Sequence, residues 1–480
     1  MSTTPKDPRL FELFTGAIQT GLRYVSLAET GKTHIGKHTP WPEITWHDNG
    51  LPWVSSKGSE GPNKYSDAIL SVYASLYGIT PEPGGPPLRF ETEPEFVALV
   101  EYVKNHPHLH DFLFPDGPSD LDVIRLEGIV GDILDRYINL NKTVKLDRTK
   151  LLPIYLPIEN YLFEDTLPSV VVVPILFLKF EVETFQINEF VSVGTLSNEL
   201  HLARGWHGPW SDNDNELVES AATHALFITG RSIKKHNSLF LRQPVMELES
   251  YPIQMIDTFF AAVRIVTGFA TGYAQLLTLP VGWASGYTAD LIPLEGPTLK
   301  KYPPFFERGA WRDEVPTVSS SDLDTIGYVF KNLCSIFETS HGRRVRLAMH
   351  RLNLSAMRTT DEDGVIDAMI AMEALLSDDR QEMTHKVAMR LAGLYKIVDR
   401  SRSEQAFREL KRIYSFRSKI VHGDADLDKH REIDRDGARV PAVNAAVEHL
   451  RTAFGALIKN PTLLDPKKID SFLLTDKPPE

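Results

Sequence analysis

An arginine and a histidine lie five residues apart in the segment from Tyr414 to Gly423, whose sequence is YSFRSKIVHG. The guanidinium of Arg417 offers a fixed fork of hydrogen-bond donors that suits a phosphate group. The imidazole of His422 can change its protonation state near neutral pH. A phosphate brought to this segment would therefore meet a cation and a group that can transfer protons.

Spacing alone does not select this pair. An arginine followed by a histidine after four to six residues occurs five times, the other pairs being Arg231–His236, Arg343–His350, Arg344–His350 and Arg380–His385. The context does select it, because Ile413, Phe416, Ile420 and Val421 form an apolar stripe at helical spacing and Arg417 falls within that stripe. An arginine there needs a carboxylate, a second subunit or a bound anion as its partner.

The predicted helix ends directly after the histidine. Gly423 stands where a left-handed glycine commonly ends a helix. The negative end of the helix dipole, together with Asp424 and Asp426, would favour the protonated form of His422. Five residues correspond to about 140° of rotation along a helix. Arg417 and His422 therefore do not stack on each other, and a second subunit or a bend at the helix end would help them to converge.

The segment from Phe416 to Gly423 resembles the signature of HEPN domains, the nucleotide-binding helical domains of prokaryotes and higher eukaryotes. That signature is an arginine, a polar residue, three to five others and a histidine, and here Arg417, Ser418 and His422 match it. The Apea-like HEPN family of bacteria is similar in further segments. These are residues 371–376 (AMEALL) with Glu373 at the acidic position, residues 386–392 (KVAMRLA), and Ile413-Tyr414 before the arginine.

The resemblance implies a homodimer that cleaves RNA without a metal ion or cofactor in a cleft between its subunits, often in anti-phage defence. It implies that His422 acts as acid or base and that Arg417 holds the scissile phosphate. Ser418 could bind the phosphate or orient the histidine. Lys419, Tyr414 and Glu373 are expected to bind substrate or to support the catalytic pair. RNA carries its own nucleophile, so a positioned histidine can contribute about 10²–10⁴-fold.

The alternative is an inactive HEPN-type module that binds nucleotides or proteins or serves in dimerisation. In that case Arg417 would pair with Glu373 or Asp367, and His422 would only end the helix. Residues 1–240 carry no resemblance to a known family. Their size suggests a sensor that responds to a phage-derived or small-molecule trigger.

The apolar pattern predicts a mainly α-helical protein with a small β region. We expect an N-terminal region (1–240), a helical connecting region (241–340), an all-α HEPN-like bundle (341–460) and a tail (461–480). The predicted strands lie in residues 152–163, 170–180 and 190–196. The predicted helices are residues 10–27, 66–77, 93–105, 121–140, 215–234, 251–275, 321–339, 343–358, 361–376, 382–398, 404–421 and 440–458.

Charge and cysteine content limit the functional classes. The net charge is −12, but residues 341–460 carry 22 Lys+Arg against 18 Asp+Glu, which leaves a local excess of four positive charges. The acidic total argues against nucleic-acid binding over the whole surface, and the basic C-terminal region fits either a local anion site or an ordinary solvated helical surface. The single cysteine, Cys334, excludes an intramolecular disulfide and a multi-cysteine zinc site. Without a spanning segment or a signal sequence, we expect a cytoplasmic protein.

Two other motifs are weaker. The histidines of His106-Pro107-His108-Leu109-His110 lack acidic or cysteine partners at metal-ligand spacing, which favours an exposed loop. Trp206 and Trp210 could stack on a base, although such residues more often close a loop over a core.

Overall fold

A computed structural model describes residues 3–32, 35–55, 59–69, 89–113, 120–206, 216–235, 245–308, 314–378, 382–424 and 426–475. Within these residues the protein is mainly α-helical with small β-sheets, as the sequence predicts. Most of the predicted helix 66–77, and Trp210, lie outside the described residues. Of the helices in the described part of the chain, none combines the length and apolar character needed to cross a lipid bilayer.

The helices are α1 (Pro8–Leu27), α2 (Pro94–Asn105), α3 (His110–Leu113), α4 (Asp120–Asn141), α5 (Arg148–Phe163), α6 (Asn198–Trp206), α7 (Glu216–Ser220), α8 (Ile253–Thr267), α9 (Ser320–Phe337), α10 (Gly342–Ser355), α11 (Asp361–Leu376), α12 (Met383–Val398), α13 (Ser403–His422), α14 (Ala442–Lys459) and α15 (Pro466–Thr475). The strands are β1 (Glu43–Trp46), β2 (Pro52–Ser55), β3 (Thr166–Ile175), β4 (Lys179–Phe180), β5 (Thr184–Gln186), β6 (Val191–Thr195), β7 (His224–Lys234), β8 (Tyr273–Gln275), β9 (Leu277–Pro280), β10 (Thr298–Lys301), β11 (Thr317–Val318), β12 (Glu432–Arg435) and β13 (Ala438–Pro441).

The largest sheet has five strands in the order β5-β6-β7-β3-β9, and every neighbouring pair is antiparallel. Its longest pairing joins β3 to β7, with Val173 opposite Leu226. Residues 215–234 were predicted as a helix, and this prediction was wrong for most of the segment, because residues 224–234 form β7. β7 lies between β6 and β3, and pairing with both strands provides hydrogen bonds for its backbone. These bonds outweigh the helical preference suggested by the spacing of its apolar residues.

The opposite error concerns residues 152–163, which were predicted as a strand and form most of α5. The side chain of Asp147 accepts a hydrogen bond from the Thr149 backbone and starts the helix. Buried residues then recur three or four positions apart, at Leu151, Ile154, Ile158 and Leu162 among others. The many aromatic and branched residues suggested a strand, but the buried residues recur with the period of a helix, and the segment is helical.

The C-terminal helices agree closely with the predicted segments. α11, α12 and α13 lie within about one residue of the bounds expected from the sequence, which is the usual uncertainty of helix ends. One hydrophobic core joins these helices, through α8 and α9, to the inner face of the five-stranded sheet. The buried residues of that core extend from Val171 in β3 to Ile469 in α15.

Two elements of this region were not predicted. A hairpin of β12 and β13 stands between α13 and α14, so the bundle is not purely helical. Residues 461–475, which we expected to be a tail, form a 3₁₀ turn and α15. α15 packs against α12, where both carboxylate oxygens of Asp470 bind the buried Arg390 at 2.9 and 2.7 Å.

Candidate functional site

The helix α13 carries both predicted catalytic residues and ends as the sequence predicts. Ile413 and Phe416 are buried on one side of it. Gly423 follows with φ of 69°, and the backbone N–H groups of Gly423 and Asp424 donate to carbonyl oxygens of the last turn. This left-handed glycine fixes the end of the helix directly after His422.

Arg417 is half-buried, and its Nε atom is buried without a hydrogen-bond partner among the described residues. The guanidinium carbon lies 6.0 Å from the centre of the Tyr414 ring. Both carboxylates that could have paired with it have other partners. Glu373 accepts from the Tyr414 hydroxyl, and Asp367 binds Arg351 and Arg358. A buried donor without a partner is unfavourable, so Arg417 retains a capacity to bind an anion.

Tyr414 and Glu373 connect the helices around this arginine. The Tyr414 hydroxyl on α13 bonds Glu373 on α11 and interacts with Thr384 on α12. Burial, followed by the hydrogen bond to Glu373, raises the pKa of Tyr414 well above its ordinary value. Tyr414 is therefore a neutral donor at physiological pH. Through these contacts Tyr414 and Glu373 connect α11, α12 and α13 beside Arg417.

His422 lies on a different side of α13 and is exposed. In the described part of the chain, no hydrogen bond or ring contact links it to Arg417, and the two differ by about 140° around the helix. Ser418 is half-buried between them, while Lys419 donates to Asp424 at 2.9 Å. The structure thus places Arg417 and His422 on one helix but does not bring this predicted catalytic pair together within one chain.

The hairpin forms a groove beside the exposed face of α13. The groove has a volume of about 560 Å³. It is lined by Arg412 and Ser415 of α13 and by both basic and acidic residues of the hairpin region: Asp428, Lys429, His430, Glu432, Ile433, Asp434, Gly437 and Arg439. The hairpin was not among the predicted strands, although its turn at Asp436-Gly437 is visible in the sequence. Both turn residues have positive φ, and Asp-Gly between alternating residues is a strong hairpin signal.

A buried charged network holds α13 from its other side. Glu409 of α13 receives two hydrogen bonds from Arg435 of the hairpin, at 2.9 and 2.8 Å. The fully buried His449 of α14 contacts Glu409 at 2.9 Å and the Tyr395 hydroxyl at 2.9 Å. Burial raises the pKa of Glu409, but hydrogen bonds from His449 and Arg435 outweigh it and lower the pKa to about 2. Glu409 is therefore a charged structural anchor for α13.

The weaker motifs have structural contacts. His106 ends α2 within 3.5 Å of Asp7, and His110 begins α3. Trp206 packs against Trp41 with ring centres 5.4 Å apart. Among the described residues, no group of three or more His, Cys, Asp or Glu side chains is arranged to hold a metal ion.

Comparison with known proteins gives no match. No protein-family model, no curated protein and no solved structure is similar to the chain. A function for α13 must therefore be argued from its own residues.

Proposed function

We propose that the protein is a HEPN-type endoribonuclease that cleaves RNA without a metal ion, with Arg417 and His422 as catalytic residues. The observation that supports this most directly is the buried Nε of Arg417, which has no hydrogen-bond partner in the described part of the chain. A cation held in this way can accept a phosphate as its partner. An exposed imidazole follows five residues later, at the fixed end of the same helix.

Cleavage would start when the 2′-oxygen of one nucleotide attacks the adjacent phosphorus. The neutral imidazole of His422 takes the 2′-hydroxyl proton, and the same imidazole, now protonated, gives that proton to the departing 5′-oxygen. The products are a 2′,3′-cyclic phosphate and a 5′-hydroxyl. Arg417 stabilises the negative charge that grows on the phosphate oxygens. Ser418, which lies between the pair, would hydrogen-bond the phosphate.

We infer that a homodimer completes the site. Arg417 and His422 point about 140° apart, so one chain cannot place both on one phosphate without bending the helix. A two-fold axis beside α13 would bring Arg417 of one subunit towards the partner subunit's His422. Val421, between them in sequence, is 56% exposed and could be covered in such an interface. Cytoplasmic anti-phage defence is the proposed role, because uncontrolled RNA cleavage would stop both phage and host.

An assay on transfer RNA and total RNA in EDTA tests the activity itself. We expect the wild-type protein to cut RNA in the chelator and to leave 2′,3′-cyclic phosphate ends, because the proposed proton transfers use side chains only. The ends can be identified by mass spectrometry of the fragments. Cutting that stops in EDTA and returns with a divalent metal would contradict the proposal. Binding of RNA through its phosphates without any cleavage would instead favour the alternative, an inactive HEPN-type binding module.

A heterodimer of two inactive variants tests the composite site. One subunit would carry Arg417→Ala and the other His422→Ala, with different affinity tags for purification. If each site takes its arginine and its histidine from different subunits, one of the two sites is intact, and the rate should be about half that of the wild type. Both variant homodimers should stay inactive. A heterodimer as inactive as the homodimers would show that the two residues act within one chain.

A further inference from the structure

A second site candidate lies far along the chain from α13, between α4, α5, α6 and the loop that follows β9. It is a cavity of about 410 Å³, within the size range of small-molecule sites. Its walls include the aromatic side chains of Tyr161, Trp206 and Tyr287, and the charged side chains of Arg125, Asp132 and Glu295. This composition combines flat apolar surfaces with a few polar groups, which is typical of ligand pockets.

One face of α4 forms the floor of the cavity. Arg125, Gly128, Ile129 and Asp132 all line it, at positions i, i+3, i+4 and i+7. A Cβ atom built on Gly128 would meet no described atom within 4 Å, so the missing side chain leaves open space there. Arg125 and Asp132 are two helical turns apart, or about 10.5 Å along the axis. The floor thus has a cation at one end and a carboxyl group at the other.

The loop opposite this floor is held in place by side chains of α4. The Tyr287 backbone N–H donates to Asp132 at 3.1 Å, and the Ala289 backbone N–H donates to Asp135 at 3.2 Å. Arg136 donates to the Leu291 carbonyl at 2.7 Å and lies over the Tyr287 ring at 4.5 Å. Ala289 adopts a φ of 46°, a conformation that needs such support. The cavity is therefore formed before any ligand arrives.

The carboxyl group of Asp132 favours a ligand with hydrogen-bond donors. Burial raises the pKa of Asp132 to about 7, although the hydrogen bond from Tyr287 acts against that change. Only one of its oxygens has that backbone donor, so the group can accept further N–H bonds. Two adjacent N–H donors on one ring edge would match the carboxylate best and stabilise its charge.

We propose that this cavity binds a guanine mononucleotide. The guanine base would lie between the aromatic rings and donate its N1–H and amino group to Asp132. The phosphate would bind Arg125 at the other end of the floor. Stacking on aromatic rings is favourable for any base, whereas the pair of donors belongs to guanine among the common bases. This proposal does not depend on RNA cleavage at α13.

Calorimetric titration of the full-length protein with GMP, IMP, AMP and guanosine tests the proposal. GMP should bind at least about tenfold more tightly than IMP, which lacks the amino group, and than AMP. Asp132→Asn should weaken GMP binding by about tenfold or more, because it removes the carboxylate charge but keeps an oxygen that accepts from the Tyr287 N–H. Arg125→Ala should remove the difference between GMP and guanosine.

Gly128→Leu fills the open space and should abolish GMP binding without lowering the melting temperature, since leucine favours a helix more than glycine does. Gly455→Leu is the matched control, because that helical glycine of α14 is also surrounded by open space. His422→Ala should bind GMP as the wild type does, which separates this site from the proposed nuclease. Absence of GMP binding by the wild type, or undiminished binding by Gly128→Leu, would overturn the proposal.

Discussion

Alanine at His422 is expected to reduce the rate of RNA cleavage by about 10²–10⁴-fold, since it removes a group that transfers protons in the reaction. Alanine at Arg417 should reduce the rate of RNA cleavage by roughly 10²–10³-fold, because it removes stabilisation of charge in the transition state. The melting temperature should change little in both variants. His422 is exposed, and Arg417 has no ion pair in the described residues to lose. Single-turnover rates on transfer RNA in EDTA provide the measurement.

Matched controls separate catalysis from surface charge. Arg408 lies on the same helix with its side chain 63% exposed, and His350 is an exposed histidine on α10. Alanine at either position should leave cleavage within about twofold of the wild type, as expected for surface positions outside the site. In bacteria challenged with phage, the wild type should lower the phage yield and His422→Ala should not. Equal cleavage by wild type and both catalytic-site variants would end the nuclease proposal.

Arg435→Ala should lower the free energy of unfolding by about 3–5 kcal/mol, because it leaves the buried carboxylate of Glu409 without its main cation. The side chain of Glu409 is only 3% exposed, so the loss of these bonds leaves a buried charge. Arg439→Ala is the control in the same hairpin. That arginine is 83% exposed and lies 3.3 Å from Glu432, so its loss should cost less than about 1 kcal/mol.

Urea denaturation at several pH values measures both effects. The folded pKa of Glu409 lies below its ordinary value of 4.5, at about 2, so its ion pairs stabilise the fold fully above pH 4.5. That contribution is lost as the pH falls towards 2. Arg435→Ala should raise the pKa of Glu409 and shift the acid-induced loss to higher pH. Equal stability of the Arg435→Ala and Arg439→Ala variants would contradict a structural role for this network.

Local signals explain why α11 and α13 could be predicted closely. Thr360 accepts a hydrogen bond from the Asp363 backbone at the start of α11, and Gly423 ends α13. Between such ends, buried residues recur with the helical period. These features involve residues a few positions apart, so the sequence displays them directly.

Contacts between residues far apart in the sequence could not be predicted from such local patterns. β7 is a strand because β3 and β6 pair with it, and β3 begins about 58 residues before it in the sequence. Likewise, Arg417 Nε lacks a hydrogen-bond partner among the described residues because Glu373 and Asp367 bind other side chains. The sequence left both carboxylates available to it, whereas Tyr414, Arg351 and Arg358 occupy them.

The continuous core between the sheet and the C-terminal helices affects when the site can form during synthesis. Strands β3, β6 and β7 leave the ribosome long before α13, and the core that buries Ile413 also includes Ile469 of α15. α13 therefore gains its full packing only after nearly the whole described chain has emerged. A nascent chain without α15 would carry Arg417 and His422 on an incompletely packed helix, so the RNA cleavage proposed for these residues would be delayed until α15 has emerged.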